Sequence, residues 1–169
     1  MKLIFLALIT LLSLNVMAQD RTEEIARIRK IYNYTSVNYK KMKHISKDLD
    51  AENPEGGTLD FYYLNKGEYN LIIKTVYNQT GKIITEYYFG INNYLNFMFE
   101  QSVIYNASII SKTFDAKKSK KIITKYYVKD DTVFKVVDGK NKPIKKNVDF
   151  CEALIEDIRG IVIATEDKN

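Results

Sequence analysis

An eight-residue strand motif occurs twice in this chain and limits its fold more than any other feature. Lys82 to Phe89 reads Lys-Ile-Ile-Thr-Glu-Tyr-Tyr-Phe, and Lys121 to Val128 reads Lys-Ile-Ile-Thr-Lys-Tyr-Tyr-Val, identical at six of eight positions. Leu59 to Leu64 is a weaker third copy. Apolar and polar side chains alternate in β-branched and aromatic runs, which favours strands over helix. Each run ends in a turn signal and a second strand follows, so the copies predict hairpins joined into an antiparallel meander. The expected strands are Thr58 to Asn65, Glu68 to Tyr77, Lys82 to Phe89, Tyr94 to Gln101, Lys121 to Lys129 and Thr132 to Val137. Lys66-Gly67, Gln79-Thr80-Gly81, Gly90 to Asn93 and Asp130-Asp131 serve as turns. Val103 to Ile110 reads equally as a strand or as an extended connection.

Helical periodicity flanks the strands. Ile25, Ile28, Tyr32, Thr35, Tyr39, Met42, Ile45 and Leu49 recur at three- and four-residue intervals, predicting an amphipathic helix from Arg21 to Leu49 with basic residues behind it. Asp20 and Glu23 have the spacing of a capping box, and Asn53-Pro54-Glu55-Gly56-Gly57 stops the helix. From Val148 the residues Phe150, Cys151, Leu154, Ile155, Ile158 and Val162 predict a C-terminal helix ending near Gly160 or slightly beyond. The expected fold is α+β, with one meander of about six strands packed on one face by both helices.

The first eighteen residues predict a secretory signal. Lys2 is followed by an apolar run from Leu3 to Leu14, and Val16-Met17-Ala18 places small residues where a signal peptidase cuts. That run is too short to cross a bilayer, which takes about 20 apolar residues. The expected organisation is a signal peptide at 1–18 and a single domain at 19–169, exported to the periplasm or beyond, with no membrane span after cleavage.

The chain has one cysteine, so an internal disulfide is excluded, and Cys151 on the apolar stripe of the last helix reads as a buried thiol. The net charge of +5 comes from lysine far more than arginine, which with an exported location argues against nucleic acid as a partner. Lys117 to Lys121 and Lys140 to Lys146 read as solvated loops and faces. The triplets at Asn33, Asn78 and Asn106 matter only in a host that glycosylates them.

The order of leader, basic helix, Glu55-Gly56-Gly57 before a Tyr62-Tyr63 strand, Glu86-Tyr87-Tyr88-Phe89 and Leu95-Asn96-Phe97-Met98-Phe99-Glu100 resembles uncharacterised small exported proteins of Bacteroidota. The resemblance implies a helix preceding an antiparallel sheet. It departs at Ile91-Asn92-Asn93, where the family pattern favours an Asn-Gly turn. No activity and no site residues come with it.

Catalytic chemistry finds little footing. His44 is the only histidine, placed on the basic helix, so a nucleophile-histidine pair and a zinc site both lack members. Glu86 and Glu100, on adjacent strands, are the best carboxylate pair for glycosidase work, and read more simply as charges on the sheet surface. The expectation is a protein that is not an enzyme and needs no cofactor and no metal.

Period-two counting places Phe61, Leu71, Ile73, Tyr87, Phe97 and Phe99 on the face under the helices. The other face then carries Tyr62, Tyr88, Tyr94, Met98, Tyr127 and Phe134, unusually aromatic for a surface that meets only water. These six residues are the expected binding site on an open sheet face, for a protein, peptide or envelope polymer not specified further, with self-association through that face as a further option. The alternatives are a secreted hydrolase inhibitor presenting Ile110 to Lys118, and a carboxylate-based hydrolase.

Overall fold

The computed structural model describes residues 21–49, 55–65 and 67–166. The leader at 1–18, the cleavage before Gln19, the Asp20 cap, Lys66 and the Asn53-Pro54 part of the helix stop lie outside the described residues. The fold is α+β: one open, seven-stranded antiparallel meander with an N-terminal and a C-terminal helix contacting it. Spatial order follows chain order from β1 (Lys43–Asp48) through β2 (Gly57–Asn65), β3 (Glu68–Asn78), β4 (Gly81–Phe89), β5 (Leu95–Ile104) and β6 (Lys120–Lys129) to β7 (Thr132–Asp138). Helix α1 spans residues 21–38, and α2 is Val148–Glu166. Val103 and Ile104 complete β5, and an irregular connection follows.

The repeat sets the register of the central strands. Its two copies are β4 and β6, and both pair with β5, so they run parallel to each other on either side of it. Tyr87, Met98 and Tyr126 form one cross-strand row, and Tyr88, Phe97 and Tyr127 form the next. Equivalent residues of the copies therefore sit at the same level. Because successive side chains of a strand point to opposite faces, each Tyr-Tyr pair supplies one ring to each face.

The helices take opposite faces, which corrects the expectation that both pack on one. Helix α2 brings Cys151, Ile155 and Ile158 against Phe61, Ile72, Tyr87, Met98 and Tyr126. Helix α1 brings Ile28, with Ile25 and Tyr32 beside it, against Leu71, Tyr88, Phe97 and Tyr127. A sheet covered on both sides buries neighbouring residues of its central strands, and Tyr87-Tyr88-Phe89, Leu95 to Met98 and Tyr126-Tyr127-Val128 are buried without interruption. The lateral pairing also corrects the division of faces: Phe61 opposes Ile72 rather than Leu71, and Tyr87 opposes Met98 rather than Phe97. Alternation within one strand does not give the phase of its neighbour, which the turns determine.

The long first helix is shorter than its periodicity. Residues 21–38 are helical, and Lys43–Asp48 is the edge strand β1, paired with β2 from Lys43↔Tyr63 to Asp48↔Thr58. The helix loses its support over Tyr34 to Asn38, a run of weak helix formers. Ser36 Oγ donates to the Asn33 carbonyl at 3.3 Å, and Asn38 Nδ2 to the Tyr34 carbonyl at 2.8 Å. Such bonds compete with the helical ladder. A 3-10 turn at Tyr39–Lys41 closes with Met42 N–H on the Tyr39 carbonyl, and Met42 is already extended.

Both sheet edges are shielded. β1 is exposed throughout and carries Lys43, Lys47 and Asp48, charges that discourage further strand pairing. Along β7, Val137 bridges Pro143 and Ile144 N–H donates to the Val136 carbonyl at 3.0 Å, so the chain folds back over the outer edge.

Candidate functional site

The inner stripe of α1 runs through Ile28, Tyr32 and Thr35, with Ile28 and Thr35 fully buried. This spacing lays three side chains along one helix face, over the sheet, and Tyr39 follows on the 3-10 turn after the helix. Tyr32 meets Tyr88 edge-on at 5.0 Å between centroids and Phe97 at 5.3 Å. Phe97 continues the contact to Tyr127 at 5.1 Å, and Tyr127 to Phe134 at 6.3 Å, with Lys135 Nζ 5.5 Å from the Tyr127 ring centre. At the far end of the helix Tyr39 lies edge-on to Tyr62, which also stacks on His44. His44 Nε2 meets Asp60 Oδ1 at 2.9 Å.

Between α1 and this aromatic row a cleft of about 250 Å³ opens. Ile28, Tyr32, Phe97 and Tyr127 supply its apolar wall; Arg29 and Asn33 from the helix, with Lys125 and Asn141 from the β6–β7 side, supply its polar groups. Lys125 Nζ donates to Asn141 Oδ1 at 2.9 Å, which holds the ammonium at the cleft. Two cations beside aromatic walls suit a ligand with an anionic group and a ring or apolar face.

Glu86 stands behind Tyr32 on the same face. Burial raises its carboxyl above the ordinary carboxylate range, against the hydrogen bond from Tyr88 OH, which lowers it. Tyr88 is raised by burial and then by its bond to that carboxylate, and Tyr32 by burial and then by the Glu86 charge. Glu100 opposes Thr85 and therefore lies on the α2 face, near Tyr126 and Lys146. The two carboxylates thus point to opposite sides of the sheet, and a single glycosidic bond cannot lie between them. Among the described residues no group of three or more His, Cys, Asp and Glu is placed to hold a metal ion.

The six expected site residues separate. Tyr62, Tyr88, Tyr127 and Phe134 share the α1 side, so the face expected to be open is the one α1 covers. Tyr127 lines the cleft, Phe134 flanks it, and Tyr88 forms its buried support. Met98 is fully buried on the opposite face under α2, and Tyr94 is exposed beyond the β4–β5 turn, away from both cores. Sequence reasoning missed Tyr32 and Phe97 as site residues because it read both as core. Aromatic residues within the apolar stripe of α1 were the available signal. Asn141, in a lysine-rich loop, offered none.

No protein-family model matches the chain, and the comparisons with curated proteins and with solved structures found no match.

Proposed function

We propose that this chain is an exported, non-enzymatic binding protein whose ligand site is the cleft between α1 and the Phe97/Tyr127 row. The proposal revises the aromatic binding surface expected from the sequence: tyrosines remain its centre, and α1 forms one wall of the site. The observation that carries it is the convergence of Arg29 and Lys125 on a cleft walled by Tyr32, Phe97 and Tyr127. The ligand in this reading is an anionic, ring-bearing segment of an envelope polymer or peptide. Aromatic faces take the ring and the two cations take the charge.

The test is a titration of the isotope-labelled protein with uronic-acid oligosaccharides and with acidic aromatic peptides, read by NMR. Shifts concentrated at Asn33, Lys125, Tyr127 and Asn141, with binding at least about tenfold weaker in Arg29→Gln/Lys125→Gln, support the reading; tenfold corresponds to about 1.4 kcal/mol. Binding that leaves those resonances unmoved, or that survives the double substitution, sinks it.

A further inference from the structure

One end of the sheet collects isoleucines that neither core takes in. Cross-strand pairing sets Ile83 and Ile122 on either side of Ser102, with Ile104 further along the same face. All three are exposed, and none belongs to the core under α2. The β5–β6 connection begins directly after Ile104. Tyr105 N–H donates to the Thr80 carbonyl at 2.8 Å and Ile109 N–H to the Gln79 carbonyl at 3.0 Å, which pins the connection beside the β3–β4 turn. Its base is clamped twice. The Tyr105 and Phe114 rings meet at 5.1 Å, and Asn106 donates to the Thr113 carbonyl at 2.9 Å while accepting from the Asp115 N–H at 2.8 Å. Ile109 and Ile110 are left 54% and 84% exposed beyond that clamp.

The polar surroundings are basic. Lys112, Lys117, Lys118 and Lys120 are exposed on the same connection and at the start of β6. The carboxylates nearby are engaged: Asp115 accepts from the Lys117 N–H at 2.9 Å and lies 3.6 Å from Lys118, and Glu55 accepts from the Gln79 N–H at 3.0 Å. A braced apolar tip among lysines complements a surface that is negative outside and apolar within. We propose that this end of the sheet docks on an anionic lipid surface. The isoleucines enter the boundary between headgroups and acyl chains, while the lysines lie along the phosphates on their flexible stems. A lipid surface fits better than a protein one because the exposed tip is aliphatic. Tyr105 and Phe114, aromatic residues of the kind that anchor protein interfaces, are turned toward each other at the base of the connection.

The chain has no tryptophan, so Ile110→Trp places a single reporter at the tip, and Ile91→Trp, at another exposed isoleucine, places one at the opposite end of the sheet. Both full-length variants are mixed with phosphatidylglycerol-containing vesicles and with pure phosphatidylcholine vesicles. The proposal expects the Ile110→Trp emission to shift to the blue and to be quenched by brominated acyl chains only when phosphatidylglycerol is present. The Ile91→Trp emission stays as it is in water. Adding Lys117→Gln and Lys118→Gln weakens partitioning on the order of tenfold. Equal responses at both reporters, an equal response to the neutral vesicles, or a water-like tip overturns the proposal. A tip that ignores vesicles and shifts only with protein concentration also overturns it, because a second copy then covers the surface.

Discussion

Glu86 and Glu100 lie on different faces of the sheet and meet the same physical situation, a carboxyl drawn into partly buried surroundings beside a tyrosine. Burial raises both above the ordinary carboxylate range. The folded chain therefore keeps their protons to higher pH than the unfolded chain does, and their contribution to stability is fully present below the unfolded pKa and is lost as pH rises through the folded values. Glu86→Gln/Glu100→Gln is expected to flatten the fall in stability as pH rises above the ordinary carboxylate range. Urea unfolding over a pH series that starts below that range checks it, and an unchanged slope contradicts the assignment. Met98 and Tyr94 make a second test, since the sequence grouped them in one surface and the fold does not. Met98→Ala should cost about 2–5 kcal/mol as a buried truncation, whereas Tyr94→Ala should stay within about 0.5 kcal/mol. Similar losses from the two changes would restore a shared surface.

Six strands and both helices were legible as elements because a strand repeat and two apolar stripes mark them, and most strand ends fall within one or two residues of expectation. β1 was not legible. Its six residues include one hydrophobic residue, the exposed Ile45, so no period-two signal exists, while Met42, Ile45 and Leu49 continue a helical spacing by coincidence. Amide exchange separates the two readings. An edge strand protects only the amides that face β2, in alternation across 43–48; a helix protects them in succession. The β4–β5 turn shows the reverse case, a departure from pattern with a plain physical reason. Asn92 and Asn93 both have φ of 57°, the left-handed region where asparagine is the best substitute for glycine. Asn93 also accepts from the Tyr69 N–H and donates to the Gly67 carbonyl, both at 2.8 Å, joining this turn to the β2–β3 hairpin. Asn93→Ala is expected to lose about 1–3 kcal/mol, since the Tyr69 amide is left without this partner. Thermal unfolding measures it, and a loss below 0.5 kcal/mol would show the bridge to be dispensable.

Across the whole molecule the sheet divides two cores, and that division places the candidate cleft. The sequence held the signal in its uninterrupted buried runs, Tyr87-Tyr88-Phe89 and Tyr126-Tyr127-Val128, because a strand covered on one face alternates and a strand covered on both does not. What it could not supply was the phase between neighbouring strands, or the pairing of Lys125 on β6 with Asn141 beyond β7. The cleft proposed for ligand exists only if α1 lies on the Tyr88 side and α2 on the Tyr87 side. Nuclear Overhauser contacts between side chains test that arrangement directly. The account predicts contacts from Tyr32 to Tyr88 and Phe97, and from Ile155 to residues of the Tyr87, Met98 and Tyr126 row. Contacts from Tyr32 to Tyr87 or Met98 would put both helices on one face, and the cleft with its proposed ligand site would be lost.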